Sequence, residues 1–146
     1  MKHFLKIIQR IIVKQQKREL QTAQGNLMEL SDYYKTILSH CAFDETELWI
    51  IIKNASRNNY DKGKLPQWAL QKALRAIKYF LSEGLIEAFT YYDGVYTPLG
   101  LNPEKTIEYI ERELKALRQV PSFGDVCLFL ITPKGARLAH DLDLGE

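Results

Sequence analysis

The chain has 146 residues, of which 46% are hydrophobic and 26% charged, with a formal net charge of +2. That length and balance indicate one globular domain able to bury a core, and a net charge this small implies no polyanionic partner. The charge is unevenly spread. Residues 1–80 hold 14 Lys and Arg against 7 Asp and Glu, and residues 81–146 hold 6 against 11. A basic front half points to an anionic partner there. The two cysteines, Cys41 and Cys127, sit in apolar segments without metal-ligand spacing, so they are read as buried thiols of a chain in the reducing cytoplasm.

Residues 1–24 open with "MKHFLKIIQRIIVKQQKREL". At 100° per residue, Phe4, Ile7, Ile8, Ile11 and Ile12 share one helical face and Lys6, Arg10, Lys14 and Lys17 the opposite one. The run is too short and charged to span a bilayer, and no cleavage site for a secretory signal follows. Its uses remain open. It packs on the domain or on a second subunit, giving a homodimer. Alternatively, residues 2–18 lie on a membrane surface, or they serve as a transit peptide or a basic arm on nucleic acid. "QTAQGN" is expected to break this helix near Gly25.

Beyond it, Leu27, Leu30, Tyr34, Ile37 and Cys41 recur at helical spacing. "DETELWIIIKNASRN" offers Asp44 as N-cap with Glu47 three residues on, a capping-box pattern, and places Leu48, Ile51, Ile52 and Ala55 on one face. The polar "NNYDKGK" turn follows. "LPQWALQKALRAIKYFLSEGLIEAF" then predicts a helix over 66–83, with Pro66 in its first turn and Gly84 just past its end. Leu70, Ala73, Leu74, Ile77, Phe80 and Leu81 face inward. Gln67, Gln71, Arg75 and Lys78 face outward, flanked by Trp68, Lys72 and Tyr79. "LIEAFTYY", Asp93-Gly94 and "VYT" form a hairpin. Asn102 caps a helix over 103–119, with Ile107, Ile110, Leu114 and Leu117 inward and Glu108–Arg112 and Glu111–Lys115 as i,i+4 pairs. "VCLFLIT" is a buried strand, and Thr132-Pro133 begins a last short helix.

Three phrases carry a family resemblance: "DETELWIII", "QWALQKALRAIKYFLSEGLIEAF" and "FLITPKGARLA". Residues 27–92 and 126–141 resemble a bacterial winged helix-turn-helix domain, and "SEGLIE" and "ITPKGARLA" are similar to phrases of MarR- and PadR-like regulators. The expected fold is therefore α+β and mostly α. It is a winged helix over 27–146 with the 103–119 helix inserted between the wing strands, and the amphipathic helix of 1–24 added in front. The resemblance implies that helix 66–83 enters the DNA major groove, commonly in a dimer. Gln67, Gln71, Arg75 and Lys78 become the base-reading candidates, with Lys72, Lys62 and Lys64 as phosphate contacts.

The sequence also departs from that pattern. The stretch between the two helices, about Asn58 to Leu65, is roughly twice the usual 3–4-residue turn. From Leu85 to Leu101 there is no Lys or Arg, while Glu87 and Asp93 are present. A winged helix that contacts protein through Trp68 and Tyr79 is thus the second expectation. Catalysis has no footing. His3, His40 and His140 lie in different elements, Ser39-His40-Cys41 point about 100° apart on a helix, and Glu104, Glu108 and Glu111 form a solvated stripe. The chain reads as non-enzymatic, without metal or cofactor.

Overall fold

The computed structural model describes residues 24–56, 63–117, 119–122 and 124–144, with side chains from residue 32 onward. The expectations for residues 1–23, and for the turn around Lys62, lie outside the described residues. The fold is α+β and mostly helical. In chain order it runs α1 (Gln24–Phe43), β1 (Thr46–Glu47), α2 (Leu48–Ser56), α3 (Gln67–Ser82), β2 (Ile86–Tyr92), β3 (Val95–Pro98), α4 (Pro103–Leu117), β4 (Leu128–Ile131) and α5 (Pro133–Asp141). The strands form one antiparallel sheet in the order β1-β4-β2-β3. The last strand in sequence thus lies between β1 and β2.

Local chemistry accounts for most boundaries. The end of α3 is a Schellman motif: Leu85 N–H donates to Phe80 C=O at 2.9 Å and Gly84 N–H to Leu81 C=O at 3.1 Å. That motif needs a left-handed residue, and Gly84 supplies φ +71°. Asp93 and Gly94 both have positive φ, 51° and 83°, the type I′ geometry that matches strand twist. Asn102 caps α4 by accepting from Lys105 N–H at 2.8 Å. Thr132 caps α5 by accepting from Gly135 N–H at 3.0 Å.

Gly25 is the second residue of α1, and the stretch before that helix, where the break is expected, lies outside the described residues. One boundary differs from the sequence expectation. The second helix starts at Leu48, not at Asp44. The Asp44 carboxylate accepts instead from the adjacent Glu45 N–H, at 2.8 Å. Thr46 and Glu47 are drawn into the sheet, facing Phe129 and Leu128, and Leu48 N–H donates to Cys127 C=O at 3.1 Å. Glu47 does not fold back on Asp44. Its carboxylate accepts from the Trp49 indole at 3.1 Å and from Gly124 N–H at 2.6 Å. Tertiary pairing has outbid the capping box. On α4, Glu108 pairs with Lys105 at 3.8 Å, while Arg112 lies over the Tyr109 ring, 5.6 Å from its centroid.

The core joins Ile37 and Cys41 of α1, Leu48, Ile51, Ile52 and Ala55 of α2, the inner face of α3, Ile110 of α4 and Phe129 of β4. The inward set expected for α3 holds, with Leu70 and Leu81 half-buried and Ala69 and Ala76 buried as well. Leu74 is 4% exposed, so Leu74→Ala is expected to cost about 2–5 kcal/mol, read as a lower urea midpoint at unchanged slope. A shift below about 1 kcal/mol would mean that the site collapses around the gap.

Cys41 and Cys127 are both buried and unpaired with each other. Burial raises the Cys41 thiol to about 11 and the Cys127 thiol to about 12. A raised thiol pKa favours the protonated folded state. This stability is present below the unfolded-state value near 8.5 and is lost as pH climbs through 11–12. Neither thiol is expected to react with a disulfide reagent at pH 8 in the native protein, and both are expected to react in denaturant. Rapid native labelling of either one would contradict the packing around β4.

Candidate functional site

The outer stripe of α3 carries the candidate polar surface. Positions 67, 71, 75 and 78 follow the four-, four- and three-residue steps that keep side chains in line on a helix. Gln67, Arg75 and Lys78 are exposed and Gln71 is half-buried. The structure therefore brings these four together. Lys64 is exposed just before the helix.

The flanking residues divide. Lys72 turns toward α1, its ammonium 4.8 Å from the centroid of the Tyr33 ring. That cation–π contact takes it off the polar stripe. The Tyr33 hydroxyl donates to Ile51 C=O at 2.8 Å, and burial lifts its phenol above the usual range. Tyr79 belongs to the same aromatic seam. Its ring centroid is 5.4 Å from Tyr34 and 5.5 Å from Phe80. Although 37% of Tyr79 is accessible, packing dominates at its hydroxyl, which burial also pushes up. Trp68 is different, with 54% of its surface exposed beside Gln67 and Gln71.

The inserted helix reaches the same face. α4 packs along α3, and Glu104 in its first turn comes within 3.9 Å of Lys78. Both groups are well solvated, so the pair is worth about 0–1 kcal/mol. It moderates the stripe's positive charge without closing it. No local pattern signals this contact, because the two residues are 26 positions apart in the chain.

The β2–β3 hairpin is the other prominent surface, and its chemistry is unlike that of α3. Tyr91 and Tyr96 face each other across the strands with ring centroids 4.7 Å apart. Tyr92 is 82% exposed and Val95 faces it. The Tyr96 hydroxyl donates to the Glu45 carboxylate. That bond, above all, raises the Tyr96 phenol to about 12. From Tyr79 to Glu104 the chain contains no Lys or Arg. The exposed aromatics were legible as composition, but the closure on Glu45 depends on the hairpin's course and was not.

Other expected bystanders stay apart. His40 and His140 are exposed on α1 and α5. Among the described residues no three His, Cys, Asp or Glu side chains converge to hold a metal ion, and no helix is long and apolar enough to cross a membrane. A cleft of about 160 Å³ opens between the end of α3, β2 and the start of α4. Its one hydroxyl, on Thr106, is already committed to Asn102 C=O at 2.9 Å.

Comparisons of the chain with protein-family models, with curated proteins and with solved structures found no match.

Proposed function

We propose that this chain is a DNA-binding transcriptional regulator of the winged-helix kind, acting in the cytoplasm and reading duplex DNA through α3. The observation that carries this reading is the connectivity. A short strand precedes two helices, a longer strand follows them, and a returning strand pairs between those two. This order supports the reading, because a winged helix follows a helix–strand–helix–helix–strand–strand path; in it, β3 and α4 enlarge the wing. The polar stripe of α3 faces away from this framework, as a helix entering the major groove must.

In this reading Gln71 and Arg75, one turn apart, meet base edges, where Gln pairs with adenine and Arg with guanine. Gln67 and Lys78 extend the contact along the groove. Lys64 meets phosphate and sets affinity and register. Lys72, held over Tyr33, contributes only at longer range. The hairpin, without cations, makes no phosphate clamp.

A fluorescence-anisotropy titration with pooled genomic duplexes tests this. Binding is expected at low salt and should fall steeply between about 50 and 200 mM salt, because each neutralised phosphate releases counterions. No binding at the lowest salt would overturn the proposal.

One observation favours a second reading, a winged-helix module that contacts protein. Trp68 stands half-exposed on the α3 face, and exposed Trp is a frequent interface anchor. Tyr79, placed beside it in the sequence reading, is largely used by the α1–α3 seam. Under this reading Trp68→Ala abolishes partner capture while Arg75→Ala does not.

A further inference from the structure

Where α1 ends, the chain leaves Phe43 70% exposed. The next residues, Asp44 and Glu45, present carboxylates. Tyr96 of the hairpin bonds Glu45 and feels the negative charge of Asp44, so these groups are neighbours in space. Tyr91 stacks on Tyr96 and is 52% exposed. The result is an exposed aromatic pair edged by carboxylates, with the exposed Phe43 next to Asp44 in the chain. Neither contributing segment brings a cation, since residues 36–52 and 79–104 contain no Lys or Arg. An aromatic patch of this kind is unusual on a surface with no partner, and its charge selects a cationic one.

The same sequence contains a segment of matching chemistry. Residues 1–20 carry six Lys and Arg against one Glu. At helical spacing Phe4, Ile7, Ile8, Ile11 and Ile12 form an apolar stripe; Lys14, at the edge of the cationic face nearest to it, and Arg18, beyond its end, flank it. Such a stripe would cover Phe43, Tyr91 and Tyr96 while its bordering cations met Asp44 and Glu45. Aromatic faces beside carboxylates hold such cations by both charge and ring quadrupole.

We propose that the Phe43–Glu45 and Tyr91–Tyr96 surface receives the basic amphipathic segment, residues 2–18, of a second copy of this chain. Length argues for the second copy. α1 has 20 residues and so spans about 30 Å. The segment joins the domain at the end of α1 opposite Phe43, and a reciprocal exchange between two chains places it on the patch without reversing along that whole length. The exchange makes a closed dimer with two equal contacts. It stands apart from the α3 reading, whose residues it does not use.

Light scattering on the full-length chain tests the exchange. Wild type is expected at twice the 17.0 kDa chain mass, dissociating as salt rises. Glu45→Lys alone, and Lys14→Glu/Arg18→Glu alone, should each weaken the dimer by at least about tenfold. The chain carrying all three changes should regain it. Thermal melts of each variant confirm that it is folded before its mass is interpreted. A wild type that stays monomeric at its highest soluble concentration overturns the proposal. So does a dimer indifferent to Glu45→Lys, or a failure of the combined variant to recover. Binding of the wild type to anionic vesicles in place of dimerisation would assign the segment to membrane and equally overturn it. The anisotropy titration is independent, because the Glu45→Lys monomer keeps its α3 stripe.

Discussion

Gly135→Val is expected to destabilise the fold by more than about 4 kcal/mol, read as a sharply lowered urea and thermal midpoint. A Cβ on Gly135 would sit 2.1 Å from the Leu85 carbonyl oxygen and 2.8 Å from Ile131 Cγ1. Neither neighbour can give way cheaply. The Leu85 carbonyl accepts from Thr132 N–H at 3.0 Å, and the Thr132 hydroxyl donates to Gly84 C=O at 2.7 Å while capping α5. Gly84 is itself fixed by the Schellman turn. One glycine therefore lets α5 lie directly on the junction of α3 and β2. Overpacking usually costs about 1–3 kcal/mol where side chains can yield. Here the obstacle is hydrogen-bonded backbone, so a loss above about 4 kcal/mol is expected against a typical total of 5–15. Gly135→Ala should show the same defect in milder form, as a lower midpoint in urea and heat. An alanine variant within about 0.5 kcal/mol of wild type would mean that this junction opens without loss.

The second large effect concerns binding. Gln71→Ala/Arg75→Ala should lower affinity for the preferred duplex by on the order of a hundredfold or more, since each base-specific pair is worth about 1–3 kcal/mol. Both side chains project from the outer stripe of α3, so folding should be unaffected and the melting temperature close to wild type. The companion variant Lys64→Ala should weaken all sequences alike and flatten the salt slope by about one unit. Lys72→Ala should do little to DNA binding, because its ammonium already lies on Tyr33. Equal binding by wild type and the double variant would remove α3 from the interface.

The comparison of sequence with structure separates two kinds of information. Asp93-Gly94, Gly84, Asn102 and Thr132 each specify their turn or cap by a property of a few adjacent residues, and each was legible. The inner faces of α2 and α3 were equally readable, because burial follows the 3.6-residue period. Thr46 and Glu47 were not. Their neighbours favour a helix start, and only β4, some eighty positions later, turns them into a strand. The candidate site divides along the same line. The stripe of Gln67, Gln71, Arg75 and Lys78 is a property of one helix. The engagement of Lys78 by Glu104, of Lys72 by Tyr33 and of Tyr96 by Glu45 depends on which elements meet.

The position of β4 also governs how the chain must be made. Thr46 finds Phe129 only 83 positions later, and Ala88 meets that same residue. Until residues 128–131 have left the ribosome, β1 and β2 lack their shared partner, and Ala88 lacks its cover. Sheet closure is therefore a late step of high contact order, slow relative to the helices around it. A transcript ending before Leu128 would yield a product with two open strand edges, a template for aggregation rather than a smaller working protein.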